Sequence, residues 1–116
     1  MTKSEVIIEF SETVRRVDYC NLEGRDIDTN DFELENGRWK IQLDGFPIEN
    51  DDDLDLVIVV VGNPGVKCNM TVSIDDVKYG PYDSYKPFNS SGYAQFDFEI
   101  PLDGDDTNFA QGYRIV

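Results

Sequence analysis

Along most of this chain apolar and polar residues alternate with a period of two, the spacing of a half-buried β-strand. CNMTVSID, residues 68–75, sets Cys68, Met70, Val72 and Ile74 on one side against Asn69, Thr71 and Ser73 on the other. YAQFDFEI, residues 93–100, sets Ala94, Phe96, Phe98 and Ile100 against Gln95, Asp97 and Glu99. In DFELENGRWKIQL, residues 31–43, Asn36-Gly37 suits a type I′ turn, whose two central positions both need positive φ. A two-residue loop there places Leu34 opposite Trp39 and Phe32 opposite Ile41 on an apolar face. On the other face Glu35 meets Arg38 and Glu33 meets Lys40 as opposite charges.

LVIVVV, residues 56–61, is continuously apolar and β-branched, the pattern of a central strand buried on both faces. Asn63-Pro64-Gly65 then fits a type II turn. VIIEF (6–10) and TVRRVDY (13–19) read as further strands, and YRIV at the end as a short closing strand. No amphipathic helical pattern of useful length is present. About seven or eight short strands separated by Gly, Pro, Asn and Asp predict an all-β fold, an antiparallel two-sheet sandwich with immunoglobulin-like or jelly-roll-like order. The strand rhythm resembles immunoglobulin-like and transthyretin-like sandwiches in architecture, without a diagnostic motif that would carry a function across.

With 116 residues, of which 40% are hydrophobic and 29% charged, the expectation is one β-sandwich domain spanning 1–116 with an ordinary core and a well-solvated surface. The formal charge of −14 changes the picture more. It opposes direct nucleic-acid binding, which needs Lys and Arg against phosphates, and it opposes anionic membranes likewise. The expected partner is a basic protein surface. The start, MTKSEVIIEF, lacks the cationic and long apolar segments of a signal peptide, so the expected compartment is cytoplasmic. Cys20 and Cys68 are too far apart for a CxxC site and read as two buried thiols, with a disulfide expected only in an oxidising compartment.

Candidate chemistry is sparse. The chain has no histidine, which removes the usual general base, the Ser-His and Cys-His pairs, and most zinc sites. No glycine-rich phosphate cradle and no GxSxG occur. Two carboxylates can cleave glycosides, yet two acids among 24 single nothing out. A non-enzymatic role is expected.

Acidic loops are the first candidate site. Asp26, Asp28 and Asn30 recur at every second position, like the first half of an EF-hand loop. An EF-hand is rejected, because Asp31 stands where its glycine belongs and Gly37 where its bidentate glutamate belongs. These oxygens can still combine with ENDDDLD (Glu49, Asp51, Asp52, Asp53, Asp55) or LDGDDTN (Asp103, Asp105, Asp106, Asn108) to hold calcium at one end of a sandwich. The competing reading is solvated turns, since Asp and Asn bond their own backbone there.

The second candidate is KYGPYDSYKPFNSSGY, residues 78–93, read as one long loop. Tyr79, Tyr82, Tyr85, Phe88 and Tyr93 are spaced by Gly, Pro, Ser, Asn and Asp, the mixture found in binding loops. Its competing role is to cap an open end of the sandwich with aromatic rings. Asn69-Met70-Thr71 and Asn89-Ser90-Ser91 match the glycosylation sequon and are expected to be chance matches. Three functions follow in order. The first is a non-catalytic protein-binding domain, of inhibitor or immunity type, docking on a basic partner through the Tyr-rich loop. The second is a calcium-dependent carbohydrate-binding sandwich, and the third a structural subunit of a larger assembly.

Overall fold

The computed structural model describes residues 2–48, 53–84 and 86–102. Nine strands form among these residues: β1 (Thr2–Phe10), β2 (Val14–Leu22), β3 (Arg25–Asp26), β4 (Glu33–Glu35), β5 (Arg38–Ile48), β6 (Asp53–Gly62), β7 (Asn69–Ile74), β8 (Val77–Asp83) and β9 (Tyr93–Pro101). One turn of 3₁₀ helix, Thr29–Asp31, is the only helical element among the described residues, and no helix there is long and apolar enough to cross a membrane. The five-stranded sheet runs β4-β5-β1-β7-β8 and the four-stranded sheet β3-β2-β6-β9. Every neighbouring pair is antiparallel. The chain is therefore the all-β, antiparallel two-sheet sandwich that its alternation predicts. The pairs β2–β3, β4–β5 and β7–β8 are hairpins, while the other connections cross from one sheet to the other.

Alternation decides which side chains enter the core. Cys68, Met70, Val72 and Ile74 are buried from one sheet, and Ala94, Phe96, Phe98 and Ile100 from the other. The layers meet through rings: Phe10 of β1 lies 5.9 Å from Phe96 of β9, and Tyr82 of β8 packs edge-on against Phe98 at 4.9 Å. Both cysteines are free and buried. Burial pushes the Cys20 thiol up to about 12 and raises that of Cys68 as well.

The hairpin takes the expected register, with Glu33, Leu34 and Glu35 opposite Lys40, Trp39 and Arg38. Asn36 (φ 54°) and Gly37 (φ 81°) both hold positive φ, as a type I′ turn requires. Its apolar face is uneven: Phe32 and Ile41 are buried, whereas Leu34 is exposed because β4 is a short edge strand. Trp39 turns its indole N–H to the carbonyl of Arg15 at 2.8 Å. The type II turn is also present, with Val66 N–H donating to Asn63 O at 3.1 Å and Gly65 at φ 84°.

Two expectations need correction. β6 is central, between β2 and β9, but of residues 56–61 only Leu56, Ile58 and Val60 face the core. Val57, Val59 and Val61 lie half-buried on the outer face, where no further described layer covers the sheet. Residues 78–93 are not one loop either. Val77–Asp83 form β8, closed onto β7 by a two-residue turn in which Asp75 and Asp76 both have positive φ. The closing strand expected at YRIV lies outside the described residues.

A candidate binding surface on the four-stranded sheet

The outer face of the four-stranded sheet divides along its strands into an apolar half and an acidic half. On β6 the outward positions are Asp53, Asp55, Val57, Val59 and Val61, because the residues between them enter the core. On β9 they are Tyr93, Gln95, Asp97 and Glu99. The ladder sets Val61 opposite Tyr93, Val59 opposite Gln95, Val57 opposite Asp97 and Asp55 opposite Glu99. From the other side β2 places Arg16 against Val61, Tyr19 against Val59 and Asn21 against Val57. Three valines thus form a stripe flanked by Tyr19 and Tyr93, which are 42% and 39% exposed.

Tyr19 is held in place by its own hydroxyl, which donates to Asp26 Oδ1 at 3.1 Å; Asn21 Nδ2 donates to the same oxygen at 3.0 Å. The bond to a carboxylate favours the protonated phenol and raises its pKa. Beside Tyr93 a groove of about 550 Å³ opens, lined among others by Val59, Lys86, Pro87, Asn89 and Gln95. Asn89 organises this rim. Its Oδ1 accepts from the N–H groups of Ser91 (2.9 Å) and Tyr93 (3.0 Å), and its own N–H donates to Tyr93 O at 2.9 Å. Phe88 is buried over Gly62, where a Cβ would stand 2.4 Å from the ring.

At the acidic end, the carboxylates of Glu23, Asp53 and Asp55 each bring an oxygen within 4.8 Å of the others. The β2–β3 turn supplies Glu23 and β6 the two aspartates. Calcium takes six to eight oxygens, so these residues offer part of a shell. Of the oxygens the sequence offered, Asp53 and Asp55 are in this group, and Asp26, Asp28 and Asn30 are not. Asp26 serves Tyr19 and Asn21, while Asp28 caps the 3₁₀ turn by accepting from Asn30 N–H at 2.9 Å. Asp51, Asp103 and Asp105 lie outside the described residues.

The aromatic set divides in the same way. Tyr79, Tyr82 and Phe88 are core residues, at 7%, 2% and 2% exposure, so their rings are packing and not exposed anchors. Tyr93 alone of the described four faces outward, and Tyr85 lies outside the described residues. Tyr19, the valine stripe and Glu23 did not stand out in the sequence. The signal was there in part: Asp53, Asp55, Val57, Val59 and Val61 share one parity along β6.

No family model matches the chain, and neither does any curated protein or solved structure. Functional assignment therefore rests on this surface.

Proposed function

We propose that this chain is a non-catalytic binding domain that docks a basic protein partner on the outer face of its four-stranded sheet. One observation carries the reading: a half-buried stripe of Val57, Val59 and Val61 on the outer face, between two exposed tyrosines, runs directly into Asp55, Asp97 and Glu99. Tyrosine offers large contact area at low entropy cost, and apolar centres with charged surroundings are the usual anatomy of interfaces. The net charge of −14 steers a cationic partner from a distance, and the local carboxylates orient it.

The test is capture from a lysate of the source cells on immobilised protein, comparing the wild type with Tyr19→Ala/Tyr93→Ala. Both tyrosines are partly exposed, so the double variant should keep its fold. The expected result is a basic protein retained at low salt, released as screening increases, and retained at least about tenfold more weakly by the variant. Equal retention by the variant overturns the assignment of this face.

A further inference from the structure

Open sandwiches end in edge strands, and natural sheets usually blunt them. Three of the four edges here are blunted. β3 has two residues and β4 has three. β8 carries Pro81, which has no N–H, and a register shift between Met70 and Val72. β9 is different. It runs nine residues in unbroken register with β6, from Tyr93–Val61 to Pro101–Asp53, with no lysine and no proline before its last position. No described strand pairs with its far edge.

The direction of its backbone groups follows from the ladder. Gly62 N–H donates to Gly92 O, so Gly92 and alternate residues after it face β6. Tyr93 is turned the other way, and its N–H and C=O are both taken by Asn89. Gln95, Asp97 and Glu99 therefore point their N–H and C=O groups along the edge that no described strand covers. Their side chains lie on the outer face beside the valine stripe.

We propose that β9 is a strand-addition site, and that its occupant is an extended segment of a partner with basic residues at alternate positions. This rests on the reading of the outer face as a docking surface and deepens it. Backbone groups of Gln95, Asp97 and Glu99 supply the pairing. The residues opposite Asp97 and Glu99 share their face, where Asp55 adds a third carboxylate, so lysine or arginine is selected there. A second copy of this chain is selected against. Antiparallel self-pairing centred on Asp97 would set that carboxylate against its own copy, and like charges directly opposite are destabilising. At the head of the edge, Asn89 blocks further pairing at Tyr93, and the groove bounded by Pro87 and Tyr93 receives the partner's next apolar side chain.

The test is amide hydrogen exchange with a short capped peptide alternating lysine and valine as the probe. In the free protein the Gln95, Asp97 and Glu99 amides should exchange quickly, and those of Ala94, Phe96 and Phe98 slowly. At a hundred times its Kd, the peptide should slow the first three about a hundredfold. The same peptide N-methylated on its pairing edge should lose this protection, and so should the unmodified peptide on Asp97→Pro, read there at the Gln95 and Glu99 amides. Binding that perturbs Val59 and Tyr93 without slowing those amides overturns strand addition and leaves the docking face standing. No binding at all also overturns it, and the tyrosine double variant then judges the face separately. Protection of the same amides at high protein concentration without peptide overturns it in favour of self-pairing.

Discussion

Glu23 and Asp55 clasp each other twice: Glu23 N–H donates to the Asp55 carbonyl at 2.9 Å, and Asp55 N–H donates to Glu23 Oε2 at 2.7 Å. The glutamate side chain thus ties the tight turn after β2 to the start of β6, at the acidic end of the binding face. Its carboxylate is a backbone acceptor first and a surface charge second. Glu23→Ala should lower stability by about 1 kcal/mol, the net worth of a partly exposed hydrogen bond. Glu23→Gln keeps a side-chain oxygen and removes a charge from a crowded group, so it should recover most of the loss. Urea unfolding midpoints of the two variants check the order, and equal loss in both would show that charge, not the bond, matters.

Because one Glu23 oxygen is already engaged, the Glu23–Asp53–Asp55 group suits charge relief better than a selective ion shell. Millimolar calcium and magnesium should raise the melting temperature by similar small amounts, and both increments should shrink in Asp55→Asn. A calcium-specific rise that saturates at micromolar concentration would show a full oxygen shell and favour the calcium-dependent module instead.

Gly62 and Phe88 define how the groove is floored. Any Cβ at position 62 would lie 2.4 Å from the ring of a residue only 2% exposed, so the ring must leave its seat. Gly62→Ala should cost ~1–3 kcal/mol through overpacking. It should also broaden the resonances of Phe88 and its neighbours. An unchanged melting temperature would mean that the ring has an alternative seat of equal energy.

What the sequence shows of this fold depends on whether a strand keeps its period. β7 and β9 alternate cleanly, and their inward residues are the ones the pattern selects; the β4–β5 hairpin keeps its register but leaves Leu34 exposed on its edge strand. β2 and β8 do not. β2 shifts register between Val14 and Arg16 and again between Val17 and Tyr19, so Val14, Val17 and Cys20 enter the core three residues apart. In β8, Gly80 and Pro81 together oppose Thr71, which lets Tyr79 and Tyr82 both point inward. That bulge made a strand look like a turn-rich binding loop. The site was harder to see, because it is assembled across β2, β6 and β9, and pairing such as Tyr19 with Val59 and Val59 with Gln95 depends on strand order. Strand order is set by the crossings between sheets, which leave no local trace in the residues.

The buried thiols give the fold an alkaline limit. Burial raises the Cys20 pKa from 9.0 to about 12 and that of Cys68 in the same direction, so the native state holds protons that the unfolded chain releases. With a folded value above the unfolded one, the acid is neutral in both states at pH 7 and adds no slope there. Above pH 9 the unfolded state ionises first, and stability falls as pH rises towards 12, by up to ~1.4 kcal/mol per unit for one thiol. Cys20→Ala should therefore start less stable at pH 7, from the lost packing, and decline less steeply between pH 9 and 10.5. Urea midpoints measured across that range decide the matter. Parallel wild-type and variant slopes would place the alkaline sensitivity elsewhere, with Cys68 the next thiol to replace.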